Sequence, residues 1–362
     1  MSHGGKTGAP MAGSRSAPPS SAQLRERFDE PSALTVGLEE ELFVVDAGTL
    51  DLAPRAQELA GADPRVKPEM VAAQIEFATT PSAGVDEAVA QLAEGRRALA
   101  AAAESRGLAL IGAAAHPFAA LEGPLAAGER YAEIGRRFGI IPQRQLVAAL
   151  QVHVAVRPAE RALAVHNAIR SHLPDVAALA AHAPFHAGRD TGLASIRPII
   201  AAQLPRQGVP PVLESWEAYA AALQAVGDPT QWWWEARLHP HFGTLELRVP
   251  DSQATVVDAR AIATVVHGLV AWLAARHDAG DDLPVEETWR IEERRWAALR
   301  HGPTGAAGER VAELLDAIAP HAGELSHARA LLDAGGPAHR LREAAGGDLR
   351  AAVEYLVGRF LA

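Results

Sequence analysis

Cysteine is absent from this chain of 362 residues. Disulfides, thiol catalysis and zinc sites ligated by cysteine are therefore excluded within it, and the absence agrees with a reducing cytoplasm, where we expect the protein. Positive charge is also scarce, with 34 Lys and Arg residues against 44 Asp and Glu. Nucleic acid is not expected as a partner, because phosphate binding requires clustered Lys and Arg.

Long apolar runs are missing too. The Ala-rich stretches are interrupted by Glu, Arg, His or Pro, so none is expected to reach the roughly 20 residues that span a bilayer. Residues 1–28 are predicted to be a disordered leader, because Gly, Ser, Pro and Ala dominate the stretch to about Ser21. Residues 29–362 are expected to form a single domain, in which 277–362 is mainly helical.

Common phosphate-binding motifs are not found either. Neither Gly-x-x-x-x-Gly-Lys-Ser/Thr nor Gly-x-Gly-x-x-Gly occurs, so any use of ATP would require another architecture. What the sequence does contain is apolar strands interrupted by acidic residues. Hydrophobic residues make up 48% of the chain, which is enough to bury a large core.

The first acidic strand is predicted from Leu34 to Asp46, which is rich in β-branched and apolar residues. Its two-residue period places Glu39 and Glu41 on one face and Glu40 on the other. Burying a carboxylate without a cation is unfavourable, and Mg²⁺ prefers oxygen ligands, so a magnesium site is predicted there. The alternative is a solvated sheet face.

A second acidic segment contributes Glu69 and Glu76. Glu76 lies on a strand predicted from Gln74 to Thr79, and its apolar neighbours indicate that it points into a lined cavity. The alternative is an edge-strand glutamate in water.

Two late strands, Trp232 to Arg237 and Gly243 to Val249, read as a hairpin. Thr244, Glu246 and Arg248 share one face of the second strand. Two interpretations are open, and in the first Glu246 ligates metal while Arg248 binds phosphoryl oxygens with its planar fork of donors. The alternative is a structural cross-strand ion pair.

Other polar residues have less specific settings. Gln151 and His153 share a face of a strand predicted from Gln145 to Val156. Arg197 and Arg206 lie in loop-like segments, where anion binding and plain solvation are both open. Helices are predicted at Asp86 to Arg106, Arg130 to Phe138 and Arg161 to His182, and over most of the chain beyond Asp258.

In order, these motifs resemble the glutamate-cysteine ligase type 2, or carboxylate-amine ligase, family of the glutamine synthetase-like superfamily. The resemblance extends from about Leu34 to Gly302. The matching segments are GLEEELFVVD, EMVAAQIEFATTP, HPF at His116, RYAEIGRRFG, LQVHV, SIRP, LPRQGVP and WWWEARLHPHFGTLELRVPD.

The resemblance implies an α+β fold in which a curved, mainly antiparallel sheet forms an active-site funnel covered by helices. It implies an ATP- and Mg²⁺-dependent ligase that joins a small amino acid carboxylate to an amine through an acyl phosphate, and it is compatible with a homodimer. The implied magnesium ligands are Glu39, Glu41, Glu76 and Glu246, with Glu69 as a further candidate. The implied catalytic residues are Arg248, Arg197 and His153, and the substrate- or ATP-binding residues are Gln151, Arg237, Arg206 and Thr244.

Three positions depart from the family pattern. His182-Ala183 stands where many relatives have Asn-Ser, Arg294 replaces an Asn, and Gln151 stands where a His is often found. We expect the first two to alter the substrate wall, so the sequence does not name the two substrates. An amide hydrolase on the same scaffold and a catalytically idle binding protein are the alternatives to a ligase.

Overall fold

A computed structural model describes residues 19–30, 32–227 and 231–362. The strands within them are β1 (Val36–Asp46), β2 (Val66–Pro68), β3 (Gln74–Ala78), β4 (Leu108–Ile111), β5 (Leu150–Ala155), β6 (Phe185–His186), β7 (Arg189–Asp190), β8 (Ala236–His239) and β9 (Thr244–Leu247). The helices are α1 (Ser21–Asp29), α2 (Val85–Glu104), α3 (Glu129–Phe138), α4 (Ala159–Ile169), α5 (Leu173–Ala180), α6 (Arg197–Ala201), α7 (Trp216–Val226), α8 (Val256–Asp278), α9 (Thr288–His301), α10 (Gly305–Ile318), α11 (Ser326–Asp333), α12 (Pro337–Ala345) and α13 (Leu349–Arg359).

A seven-stranded open sheet organises the molecule. Its order is β2-β3-β1-β5-β9-β8, and β4 also pairs with β1. Every pairing in it is antiparallel. The 11 residues of β1 are long enough to pair with β5 along the first half and with β4 along the second. The predicted α+β class with a mainly antiparallel sheet is confirmed.

The reverse face of the sheet packs on helices. Leu38 and Leu42 of β1 are fully buried there, and α2 contacts both β1 and β3. Close packing depends on Gly95 of α2, because a Cβ atom at that position would lie 2.2 Å from the ring of Phe77 on β3. The sheet and α2 are thus fixed at a short separation.

Glu40 belongs to this reverse face, as the two-residue period predicts. It forms an enclosed ion pair with Arg96 of α2, with Nε–Oε2 and Nη2–Oε1 distances of 2.9 and 2.5 Å. The guanidinium also donates to the carbonyl oxygens of Gln253, Ala254 and Phe360. Through Arg96, the buried Glu40 carboxylate therefore connects the sheet to the C-terminal part of the chain.

One helix contradicts the expectation that no segment has the length and composition of a membrane span. Helix α8 has 23 residues and passes both criteria, since no charged residue occurs between Arg260 and Arg276. Most of its residues are buried, and it packs against α2, α4, α10, α11 and β5. Contacts inside the protein account for its apolar character.

The predicted leader also differs from the structure. Residues 21–28 belong to α1, which begins with a capping box formed by Ser20 and Gln23. Leu24 and Phe28 of this helix are fully buried. The boundary at residue 28 is therefore wrong, because Ser20 caps a helix whose two buried apolar residues lie in one helical stripe. Residues 1–18 of the predicted leader lie outside the described residues.

Several predicted boundaries shift. The helix expected from Arg161 to His182 is divided into α4 and α5 by a 3-10 turn at Arg170–His172, next to Pro174. Strand β5 begins at Leu150 rather than Gln145, because Val147 and Ala149 form isolated bridges to Ala115 and Asp251 instead of a continuous ladder. The β8–β9 hairpin is present, but β8 begins only at Ala236.

Candidate active site

The polar face of the sheet carries the acidic residues expected from the sequence. Glu41 of β1 lies directly opposite Glu76 of β3, and His153 of β5 lies opposite Glu246 of β9. Because β1 is shared between β3 and β5, all these side chains meet on one surface. Together with Glu39 of β1 and with Glu69, which follows β2, they form two neighbouring groups, each with three potential metal ligands.

The first group consists of Glu39, His153 and Glu246, whose ligand atoms lie within 4.8 Å of one another. The His153 Nε2 atom is 3.6 Å from Glu39 Oε1 and 4.0 Å from Glu246 Oε1, and it is buried without a hydrogen-bond partner among the described residues. Its Nδ1 atom lies 3.0 Å from the Thr244 hydroxyl oxygen. A metal-binding imidazole is commonly oriented in this way by a hydrogen bond at its other nitrogen.

The second group consists of Glu41, Glu69 and Glu76, again with ligand atoms within 4.8 Å of one another. Glu41 accepts a hydrogen bond from the Ala149 N–H at 2.8 Å, and Glu69 accepts one from its neighbour Met70 at 3.0 Å. These backbone donors orient the carboxylates. They leave other oxygens of the group able to bind a hard cation.

Three of these carboxyl groups have raised pKa values. Burial, assisted by the nearby Glu76 and Glu246 charges, raises the pKa of Glu39 to about 8. Burial also raises the pKa of Glu41, and it raises the pKa of Glu69 well above its usual range with the help of Glu76 and Glu41. Crowded carboxylates therefore resist ionisation on this surface, and a bound cation would compensate their charge.

Glu246 behaves differently because two arginines flank it. It forms ion pairs with Arg237 and with Arg248, the latter at 2.5 Å. Burial alone would raise the pKa of Glu246, but the two guanidinium groups hold that pKa well below its usual range. Glu246 therefore forms a cross-strand ion pair with Arg237 and is at the same time a potential metal ligand.

Gln151 connects the two groups. Its amide nitrogen donates to Glu41 Oε1 at 2.8 Å, and its amide oxygen accepts a hydrogen bond from Arg248. Arg248 is held in turn by Glu246. Despite burial, the neighbouring Glu246 and Glu41 charges keep the pKa of Arg248 above its ordinary value. A fixed positive charge thus lies between the two acidic groups.

A cavity of about 100 Å³ opens beside the second acidic group. Glu41 and Glu69 form part of one wall, and Arg197, Arg248 and Arg295 also line it. Its further lining residues include Gln74, Gln145, Gln207, Trp233 and Glu235. The cavity combines acidic groups, guanidinium groups and one large aromatic surface, which suits a small, charged organic ligand.

Two predicted anion-binding arginines have structural contacts. Arg197 donates to Asp251 at 2.7 Å and to the carbonyl oxygens that follow β9, including that of Val249 at 2.6 Å. Arg206 donates to the carbonyl oxygen of Gln231, and it is not among the described residues that line the cavity. Arg197 thus reaches the cavity while fixing its wall.

Two positions that depart from the family pattern, His182 and Arg294, lie away from the described lining of this cavity. His182 is buried, with its Nδ1 atom 2.9 Å from the Ser252 carbonyl oxygen. Arg294 pairs with Glu286. The expectation that they form the substrate wall is therefore not met at this cavity.

Three further residues of the site were not predicted from the sequence. Lys67 of β2 lies opposite Glu76, with its Nζ atom 2.7 Å from that carboxylate. Glu235 and Arg295 form an ion pair at the cavity, with an Nε–Oε1 distance of 2.7 Å. Period two along Glu235-Ala236-Arg237 could have indicated Glu235. Nothing local could have indicated Arg295, which α9 brings from 60 residues away along the chain.

Comparisons with known proteins agree with this fold. Glutamate-cysteine ligase family 2 (GCS2) matches residues 35–348. A Rubrobacter xylanophilus protein named "putative glutamate--cysteine ligase 2-3" is 33% identical over 326 residues, covering 83% of this chain and 88% of the relative. A Frankia casuarinae protein named "putative glutamate--cysteine ligase 2-1" is 31% identical, covering 91% of this chain and 96% of the relative.

A solved structure shares the fold at low sequence identity. It is a glutamate-cysteine ligase from Francisella tularensis in complex with AMP, with a TM-score of 0.66 and 11% identity. The superposition covers 92% of this chain and 90% of that one. The likeness therefore extends over nearly the whole of both chains and concerns their fold.

Proposed function

This chain belongs to glutamate-cysteine ligase family 2, and we propose that it is a carboxylate-amine ligase that uses ATP and Mg²⁺ and proceeds through an acyl phosphate. The observation that carries the proposal is the pair of three-ligand groups on one sheet face, with Arg248 between them. Family membership supports the ligase class, and the AMP bound to the Francisella tularensis structure supports nucleotide use.

The residues present fit magnesium. Five of the six ligands in the two groups are carboxylates, which hard cations prefer, and the sixth is His153. The Nε2 atom of His153, which has no hydrogen-bond partner among the described residues, and the raised pKa values of Glu39 and Glu41 both favour a cation as the ligand of these groups. Ions held by these two groups would neutralise the charge that develops during phosphoryl transfer.

The protein's own groups have distinct tasks in this proposal. Arg248, held by Glu246 and Gln151, presents a fixed guanidinium to the transferring phosphoryl group. Thr244 orients His153, and Arg197 fixes the strand end that carries Arg248 through its carbonyl contacts. Arg237 preserves the ionised state of Glu246. No protein nucleophile is needed, so the lack of cysteine is compatible with the reaction.

Phosphate release from ATP tests this function. A panel of small amino acids and amines is incubated with the protein, ATP and Mg²⁺, singly and in pairs. We expect phosphate release above background only when an acid and an amine are both present, together with amide formation in equal amount. Glu41→Gln, which removes one ligand charge, should abolish it. Cleavage of the amide without ATP turnover would contradict a ligase and indicate the hydrolase alternative.

Three sequence expectations remain predictions beside this proposal. They are small-molecule amino acid and amine substrates, a cytoplasmic location and a homodimer. The first is tested by the same panel, and light scattering at defined protein concentrations tests the third.

A further inference from the structure

The cavity beside the second acidic group contains an incompletely paired carboxylate. Glu235, at 7% exposure, lines the cavity immediately before β8. Its Oε1 atom accepts hydrogen bonds from Arg295, whereas its Oε2 atom is buried without a partner among the described residues. An enclosed carboxylate oxygen without a donor is unfavourable, which makes a donor from a ligand a natural complement.

The other cations of the cavity do not supply that donor. Arg248 binds Glu246 and Gln151, and Arg197 binds Asp251 and main-chain carbonyl oxygens. The cavity therefore presents an acceptor at Glu235 and offers no further described cation to satisfy it. A primary ammonium group carries a positive charge and three donors, and is small enough for this site.

A neighbouring aromatic group favours the same type of ligand. Trp233, two residues before Glu235, also lines the cavity. Its indole ring already has the Arg206 guanidinium 5.8 Å from its centroid, which shows that it accommodates positive charge. An anionic oxygen and an indole in one small cavity select for an organic cation over an inorganic anion.

We propose that Glu235 forms a subsite for the primary ammonium group of a substrate in this cavity. The inference rests on the proposed function in treating the cavity as a substrate pocket. The cavity extends from Glu235 to Glu41 and Glu69, so a ligand anchored at Glu235 directs its remaining atoms towards the second acidic group. Two sources share this chemistry, namely the amine substrate and the amino group of the carboxylate substrate.

Calorimetric binding without ATP distinguishes the two sources. The probes are L-glutamate with glutarate, and L-cysteine with 3-mercaptopropionate, so that each pair differs only in the amino group. We expect the wild-type protein to bind at least one amino compound roughly tenfold more tightly than its partner. A preference within the glutamate pair assigns the subsite to the carboxylate substrate, and one within the cysteine pair assigns it to the amine.

The variant Glu235→Gln should abolish that preference and leave binding of the compound without an amino group unchanged. The matched control is Glu292→Gln, since Glu292 also contacts Arg295, at 3.3 Å, but is 44% exposed and is not among the described residues that line the cavity. It should retain the preference. Glu235→Asp keeps the negative charge and should retain part of the preference for the amino compound. It replaces Glu235→Gln as the test variant if Glu235→Gln does not fold.

Three results would overturn the subsite. The first is that the wild-type protein binds both members of each pair equally, and the second is that Glu235→Gln keeps the wild-type preference for the amino compound. The third is that Glu235→Gln weakens binding of both members of a pair equally, which would show that Glu235 acts only by holding Arg295. A parallel Mg²⁺ titration separates this inference from the proposed function. If Mg²⁺ binding fails while the ammonium preference depends on Glu235, the ligase proposal fails and the subsite stands.

Discussion

The Nε2 atom of His153 lies 3.6 Å from Oε1 of Glu39, and this nitrogen has no hydrogen bond to any described residue. Glu246 lies on its other side at 4.0 Å. Buried imidazole nitrogens normally have a partner. The ligand atoms of Glu39, His153 and Glu246 are therefore close enough together to surround one cation.

Substitution by Gln at the consecutive residues Glu39 and Glu40 should have different effects on Mg²⁺ binding and on the free energy of unfolding. Glu39→Gln should strongly weaken Mg²⁺ binding and should raise the stability of the metal-free protein at pH 7, because burial raises the pKa of Glu39 to about 8 and the neutral amide avoids the free-energy cost of keeping that carboxyl protonated in the fold. Glu40→Gln should lower the free energy of unfolding by about 3 kcal/mol, because Arg96 loses its buried partner. Calorimetric Mg²⁺ titration and urea unfolding measure the two effects. Similar behaviour of the two variants would contradict the assignment of the faces.

Thr244 should influence metal binding without contacting the metal. Thr244→Val removes the hydroxyl group that orients His153 through Nδ1, and we expect Mg²⁺ affinity to fall by about 10- to 100-fold. Thr264→Val on α8 is the control, since that hydroxyl group donates to the Arg260 carbonyl oxygen of its own helix and has no other hydrogen bond among the described residues. Equal affinities for the two variants in a Mg²⁺ titration would show that Thr244 does not orient the imidazole.

Local pattern predicted the polar face of the sheet but not what lies around it. Period two separated Glu39 and Glu41 from Glu40 correctly, because side chains alternate on any strand. The sequence could not show that Glu246 is shared with Arg237, since that depends on hairpin register. The sequence could not predict Arg295 as a site residue either, because its position beside Glu235 depends on how α9 packs.

The same limit explains the wrong expectation for α8. Composition indicates that a segment is apolar, but it does not distinguish a membrane from a protein core as the surroundings. Only the packing of α8 against α2 and α4 resolves this. The family pattern likewise predicts that Arg294 belongs to the substrate wall, whereas its neighbour Arg295 is among the described residues that line the cavity.

His116 should make stability depend on pH. Its Nε2 atom lies 2.9 Å from the Leu50 carbonyl oxygen, and its Nδ1 atom accepts N–H donors from Phe118 and Ala119. Burial lowers the pKa of His116 to about 4, so the unfolded chain binds the proton more readily. The resulting stability is fully present above pH 6.5 and is lost as the pH falls towards 4, by up to about 3 kcal/mol.

Urea unfolding between pH 7 and pH 4 checks this effect. His116→Asn keeps an acceptor for the two N–H groups but has no titrating proton, so its stability should fall less steeply than that of the wild type. Some dependence should persist, because burial lowers the pKa of His166 to about 4 as well. Parallel curves for the two proteins would show that His116 does not titrate differently on folding.

Glu246 should be required for stability and for metal binding together. Glu246→Gln leaves Arg237 and Arg248 facing a neutral group in an enclosed site, and we expect the free energy of unfolding to drop by about 3–5 kcal/mol. The variant should also lose Mg²⁺ at the first group. Glu41→Gln is the informative comparison, because the raised pKa of Glu41 shows that its charge is poorly compensated. That variant should lose activity while its unfolding midpoint in urea stays near that of the wild type. If Glu246→Gln unfolds at the wild-type midpoint, the two arginines are solvated or paired elsewhere, and Glu246 is then a metal ligand without the structural role inferred from its ion pairs.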